Sequence, residues 1–191
     1  MKKDIILSGV GGQGILSIAT VIGEAATHCG INLKQAEVHG MSQRGGDVQS
    51  HLRLSTDAIH SDLIPCGRAD VIIAMEPMEA LRYVPWLSAD GWVITSDEPF
   101  INIPNYPDVD SLLATLHSLP HVRTLAIDSL ARELHNPKAA NMILLGMAAP
   151  FIEIVSADEL RAAIGRIFAA KGERVVNSNY EAFDLGINTP Q

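Results

Sequence analysis

Apolar residues along the chain come in short unbroken runs separated by helical stripes, the pattern of a sheet covered on both faces. Residues 4–8 (Asp-Ile-Ile-Leu-Ser) are the first such run, and its lack of alternation predicts a strand buried on both sides. Ile15, Leu16, Ile18, Ala19, Ile22 and Ala26 then recur at helical spacing as far as Gly30, a fitting C-terminal stop. Residues 32–38 predict a second strand, which a right-handed crossover sets parallel beside the first. The pattern changes at Val48, Ser50, Leu52 and Leu54, which alternate with Gln49, His51 and Arg53. With a turn at 55–57 and residues 58–61 returning, this predicts a hairpin inserted into or beside the sheet.

Residues 69–75 and 91–96 predict further strands, and a helix starts at Pro77, where a first turn tolerates proline, and ends before Pro85. The stretch 99–107, with Pro99, Pro104 and Pro107, reads as a loop. Leu112, Leu113 and Leu116 suggest a helix, residues 122–127 a last strand, and residues 139–151 an apolar helix. Ser156-Ala157-Asp158-Glu159 is a capping box opening a helix to residue 170, and a short helical stretch ends near Phe183. The fold class expected is α/β: a Rossmann-like, mainly parallel sheet with helices on both faces and an inserted β-hairpin, as one domain over residues 1–191.

Composition narrows the partners. Hydrophobic residues make up 47% and charged residues 19% of the 191 positions, which suits a folded core. With 14 Lys and Arg against 22 acidic residues, the net charge is −8, so neither nucleic acid nor an anionic membrane is the expected partner. No apolar run reaches membrane-spanning length, and the N-terminus lacks a signal-like apolar region. A cytoplasmic location with free thiols is expected. Cys29 and Cys66 are the two cysteines, without the spacing for zinc or an iron–sulfur cluster.

The first chemical motif is Gly9-Val10-Gly11-Gly12-Gln13-Gly14, set between a strand and a helix as in dinucleotide-binding turns. There, the first glycine allows the tight turn, the second close approach of a phosphate, and the third helix–strand packing. The helix N-terminus adds free N–H groups and partial positive charge, and Glu37 stands about 20 residues on, where a ribose-binding acid is found. Two readings of Gly9, Gly11, Gly12 and Gly14 stay open on these residues alone: a cofactor-binding turn for NAD(P) or FAD, or an anion or interface loop packed by another chain.

The second motif is His39-Gly40-Met41-Ser42-Gln43-Arg44-Gly45-Gly46. Together with the glycine turn, Gln35-Ala36-Glu37-Val38, Ser61-Asp62-Leu63-Ile64-Pro65, and Ala74-Met75-Glu76-Pro77-Met78-Glu79-Ala80-Leu81-Arg82, it resembles the gamma-type domain of the pyruvate and other 2-oxoacid:ferredoxin oxidoreductases. The wording around Arg44 and the Glu76 to Arg82 stretch are most similar to the indolepyruvate type. The resemblance runs over nearly the whole chain. It implies the small subunit of an enzyme that oxidatively decarboxylates a 2-oxoacid to an acyl-CoA and passes electrons to ferredoxin. It also implies that thiamine diphosphate, Mg2+ and the iron–sulfur clusters sit on a large alpha-type partner subunit, that CoA is used by the complex, and that no cofactor is bound by this chain.

Arg44 carries a planar, permanently charged fork suited to a carboxylate or phosphate. Ser42, Gln43, Arg44, Gly45 and Gly46, with His39 beside them as a proton-carrier candidate, form the expected active-site or partner loop. An alternative is that Arg44 pairs with Asp47 or Glu37 and simply fixes the loop. No residue is assigned as catalytic and no metal site is expected. His51 and His60 would face each other across the hairpin without a carboxylate to complete a metal site, and Glu76 and Glu79 suit the first turn of a helix. Without its partner, the exposed interface would let the isolated subunit form a homodimer.

Overall fold

The computed structural model describes residues 1–39 and 45–190, with His39 described through its backbone alone. Six strands, β1 (Lys2–Val10), β2 (Asn32–His39), β3 (Asp47–Ser55), β4 (Ala69–Ala74), β5 (Leu87–Ser96) and β6 (Val122–Leu125), form one sheet in the order β2-β3-β1-β4-β5-β6. Strands β1, β4, β5 and β6 are parallel neighbours, while β3 runs antiparallel to both β1 and β2.

Both faces of β1 are covered, which is why its apolar run does not alternate. Ile5 and Leu7 pack with Val71, Ile73 and Ile94 beneath helices α1 (Ile15–His28), α4 (Ile127–Glu133) and α5 (Ala140–Ile152). Ile6, Ile72 and Val93 face the other way, against α2 (Pro77–Arg82) and α3 (Val109–His117). Two further helices, α6 (Ala157–Phe168) and α7 (Glu173–Asn188), close over α1 and α5. No helix of the described residues is long and apolar enough to cross a membrane.

The hairpin differs from expectation in its members. It joins β2 to β3, and β3 lies between β1 and β2, so these two strands are not the parallel neighbours that a simple crossover would make. Residues 58–61 form no strand. Local side chains hold the following segment instead: Arg53 donates from Nη1 to the carbonyls of Ser61 and Leu63, both at 3.0 Å, and Ile64 N–H donates to His51 Nδ1 at 3.0 Å. The same Arg53 grips the fully buried Asp4 of β1 through Nε (2.8 Å) and Nη2 (3.1 Å). A buried carboxylate retains its charge only with such a partner, so the alternating run is pinned to β1 by charge as well as by its strand ladder.

Details of the C-terminal half also differ. β6 ends at Leu125, and residues 127–133 form a helix that apolar periodicity alone did not reveal. Glu98, at the end of the β5 connection, accepts from Ser129 N–H at 2.9 Å and Ser129 Oγ at 2.5 Å and so helps to fix the start of that helix. Ser156 caps α6 by accepting from Glu159 N–H at 3.2 Å, but the Glu159 carboxylate turns to Arg166 instead of back to the cap.

The largest change is α7, which extends well past Phe183 to Asn188. Gly186 lies within that helix as a packing contact: a Cβ there would lie 2.0 Å from the Ile143 carbonyl oxygen, and one on Gly146 would lie 2.0 Å from that of Phe183. These glycines let α5 and α7 touch backbone to backbone, and α5, apolar all round, is buried between the sheet and that neighbour. Gly146→Ala is expected to lower unfolding free energy by about 3 kcal/mol, because carbonyl backbone cannot yield as a side chain does. Gly23→Ala, in mid-helix with only an ordinary contact to Leu33, is expected to raise it by about 0.5–1 kcal/mol. Urea denaturation of the two variants beside the parent checks both signs.

Candidate functional site

The parallel strands β1, β4 and β5 end at one edge of the sheet, and the antiparallel β3 begins there, with Asp47 paired to Val10. Topology alone therefore brings the two glycine-rich motifs to one place. Gly11 N–H donates to the Gly46 carbonyl at 2.8 Å, and Gly45 N–H donates to the Gly11 carbonyl at 3.3 Å. The two segments form a reciprocal backbone bridge.

The rest of the turn is held from within. Gln13 folds back so that its Oε1 accepts from Val10 N–H at 2.7 Å, while Gln13 N–H donates to the Val10 carbonyl at 3.1 Å. Gly9 is paired opposite Val48 and packs against Met75, and Gly12 is exposed at the tip. Gly14 has φ 82, the left-handed region that suits glycine. Its carbonyl accepts from Asn141 Nδ2 of α5 at 3.1 Å, and a Cβ on Gly14 would lie 2.7 Å from that same nitrogen. The amides of Val10, Gly11 and Gln13 are thus engaged with the chain itself, where a dinucleotide turn would direct amides at pyrophosphate.

The acid of the fingerprint is also displaced. Glu37 lies on β2, and β3 separates that strand from β1, a distance of about two strand spacings, roughly 9–10 Å. A ribose-binding acid belongs on the strand next to the turn. The Glu37 carboxylate accepts from Gln35 Nε2 at 2.5 Å.

A third segment joins this edge. Asn102, in the loop after β5, donates from Nδ2 to the Gly45 carbonyl at 2.6 Å. The same loop leaves Phe100, Ile101 and Ile103 exposed, so apolar side chains stand beside the bridged glycines. Tyr106, at its far end, donates to Glu76 Oε2 at 2.6 Å.

Beneath lies a buried acidic group. Glu76 caps α2, accepting from Glu79 N–H at 2.5 Å, and both residues are buried. Their places at the cap and first turn of a helix agree with the sequence reading. Their tertiary partners were not legible there. Arg82 grips Glu79 through Nε at 2.7 Å and Nη2 at 3.1 Å, and Ser8 Oγ donates to the Glu79 carbonyl at 3.1 Å. Tyr83 Oη donates to Asp47 at 2.9 and 3.0 Å. Burial, followed by the charge of Asp47, pushes Glu79 from its ordinary 4.5 up to about 7 against the pull of Arg82. Burial and acceptance of their hydroxyl protons by carboxylates raise Tyr83 and Tyr106 well above the usual phenol range.

The expected loop residues fare unequally. Gly45 and Gly46 are brought against the glycine turn, while Gly40, Met41, Ser42, Gln43 and Arg44 lie outside the described residues. The backbone of His39 ends β2 opposite Val48. His51 does not face His60, which is exposed and outside any strand. Instead His51 is buried edge-on to Trp86, with burial and then Arg53 lowering its pKa, so the neutral ring serves as an acceptor for Ile64. Cys29 and Cys66 are exposed and unbridged, and among the described residues no three His, Cys, Asp or Glu side chains converge as a metal site.

Residues 4–189 match the family described as pyruvate ferredoxin/flavodoxin oxidoreductase. The chain belongs to this family. Among its relatives, the indolepyruvate oxidoreductase subunit IorB of Pyrococcus horikoshii is 35% identical over 197 residues, covering 98% of this chain and 96% of that protein. The subunit of the same name from Archaeoglobus fulgidus is 33% identical over 196 residues, covering 98% and 95%. The solved 2-oxoglutarate:ferredoxin oxidoreductase of Magnetococcus marinus shares the fold with a TM-score of 0.75 at 22% identity, over 97% of this chain but 30% of that longer one. This fold therefore fills nearly the whole of some chains and is one part of a longer polypeptide in others.

In calorimetric titration of the isolated chain, NAD, NADP and FAD are each expected to give no saturable heat. Tight binding of any one would contradict the assignment of the turn's amides to internal bonds.

Proposed function

We propose that this chain is the small subunit of an indolepyruvate-type 2-oxoacid:ferredoxin oxidoreductase, working only in complex with a large alpha-type subunit. The observation that carries the reading is the near end-to-end match to indolepyruvate oxidoreductase subunits, joined to a glycine turn in which the Val10, Gly11 and Gln13 amides bond to the chain itself. The reaction is oxidative decarboxylation of an aryl pyruvate to the acyl-CoA, with ferredoxin taking the electrons. The described residues do not fit thiamine diphosphate or an iron–sulfur cluster: the two cysteines are exposed and far apart in sequence, and no carboxylate group is set for a magnesium ion. Thiamine diphosphate, Mg2+, the clusters and CoA are accordingly assigned to the partner, and a cytoplasmic complex is the setting this implies.

This subunit's own part is a wall beside the partner's active site. In this reading Gly9, Gly11, Gly12 and Gly14 present a docking edge. The segment Ser42, Gln43, Arg44, Gly45 and Gly46, with His39 before it, lies along the substrate or CoA channel, and Arg44 meets a carboxylate or phosphate there. The exposed apolar residues beside Asn102 continue that edge, and without its partner the subunit pairs with itself through it.

Co-expression with the large subunit is expected to yield a stable complex that oxidises indolepyruvate and phenylpyruvate ahead of pyruvate with a low-potential acceptor. Arg44→Ala is expected to lower turnover by about 10- to 100-fold while the complex still assembles, the loss of one charge-assisted hydrogen bond. Lost assembly with normal turnover in the remaining complex would instead make Arg44 a scaffold residue. A chain that co-purifies with no large subunit and supports no 2-oxoacid oxidation would overturn the proposal.

A further inference from the structure

We propose that residues 99–107 act as a strap: Tyr106 anchors it on Glu76, and Asn102, clasping the Gly45 carbonyl, positions the bridged glycines. The inference rests on the proposed function for its consequence in the complex, but the strap itself is a property of this chain. Asn102 is half-buried, and its Nδ2 donates to the Gly45 carbonyl at 2.6 Å. A carbonyl oxygen only accepts, so this contact fixes which end of the amide faces the glycines. Gly45 N–H already donates to the Gly11 carbonyl, so the clasp acts on a member of the bridge.

Little else holds this loop in place. Among the described residues, the backbone of 99–107 makes one hydrogen bond of its own, from Tyr106 N–H to the Ile103 carbonyl at 3.3 Å. Its large side chains stay in water: Phe100, Ile101 and Ile103 are 44%, 65% and 36% exposed. Apolar burial therefore contributes little to its order, and the bonds of Asn102 and Tyr106 carry correspondingly more. The Glu76 anchor is firm, because that carboxylate is fully buried and caps α2 by accepting from Glu79 N–H at 2.5 Å. Pro99, Pro104 and Pro107 preset φ and narrow the states open to the segment. A chain stiffened in this way transmits the position of one anchor to the other.

Gly45 is thereby held from two sides, by Gly11 of the turn after β1 and by Asn102 of the connection after β5. Strand pairing does not relate those two segments, since β4 lies between β1 and β5. The clasp closes the circuit, and through Tyr106 it refers the bridge to the buried cap of α2. Asn102 and Tyr106 are positioning residues: the first acts on the glycines directly, the second acts through the first. In the complex, the strap sets where Gly45 and Gly46 meet the large subunit.

The experiment is a double-mutant cycle read by amide exchange at Gly11 and Gly45 in the full-length chain. Asn102→Ala is expected to speed exchange at both amides by about five- to tenfold, the loss of one hydrogen bond. Asn102→Asp keeps the shape but, ionised, has no donor, and is expected to match Asn102→Ala. Tyr106→Phe is expected to speed the same amides by about two- to threefold and to add nothing once Asn102 is replaced. Should Tyr106→Phe fail to fold, Pro104→Gly, which loosens the exposed middle of the loop, takes its place in the cycle. Parent-like exchange in either Asn102 variant, no effect of Tyr106→Phe in the parent, or an equal effect in both backgrounds would refute the strap. In the assembled complex, Asn102→Ala is expected to lower 2-oxoacid turnover by about two- to tenfold, with Tyr106→Phe again adding nothing; unchanged turnover would refute the role in the complex. A parent complex inactive toward every 2-oxoacid would overturn the proposed function and leave the exchange coupling standing, because that readout needs no partner.

Discussion

The insertion of β3 between β1 and β2 is the constraint on which the rest depends. An antiparallel strand in that place starts where its parallel neighbours end, so Gly45, Gly46 and Asp47 arrive at the carboxyl edge of the sheet beside the turn that follows β1. Had β2 been the neighbour of β1, the edge would have had the form of a dinucleotide site, with the acid of β2 beside the turn. The insertion puts that acid a strand away and gives Gly11 a backbone partner. What holds β3 there is the strand ladder on both sides together with the Arg53–Asp4 pair, a buried charge satisfied from the neighbouring strand.

The same insertion explains why a recognisable fingerprint carries a different function. Glycines in such a turn allow close approach of any backbone, whether it belongs to a phosphate-bearing ligand or to protein. Here the approaching group is the carbonyl of Gly46, and Gln13 satisfies the next amide with its own side chain. The result is an internally bonded edge with exposed Phe100, Ile101 and Ile103 beside it. The proposed place of this subunit beside another chain's active site follows from that character.

Under this edge the protein accepts an electrostatic cost. Among the described residues, Arg82 grips Glu79, and the hydroxyls of Tyr83 and Tyr106 donate to Asp47 and Glu76. Such networks are stable only when every member has a partner, and here each carboxyl has one. Their arrangement joins α2, β3 and the loop before α3 into one unit around the bridged glycines, so the polar residues that sequence places at the start of a helix also support the edge above them.

Much of the fold was legible along the chain because it depends on local periodicity. The unbroken run of β1, the stripe of α1 and the Ser156 cap each express a rule that operates within a few residues. The family wording, including Gly9 to Gly14 and Gln43 to Gly46, was legible for the same reason, as residue types at fixed spacing. Strand order was not, since pairing β3 with both β1 and β2 is decided by which buried faces and charges fit across the sheet. Nor was the length of α7, whose last turns are held by the backbone contact of Gly186 with Ile143 in space. The bond of Tyr83 to Asp47 was equally hidden, because neither residue carries a local mark of the other. Sequence by itself determined the elements and the motifs; tertiary structure alone decided which amides face inward and which partners the carboxyls take, because those outcomes are set by contacts between segments that no local rule relates.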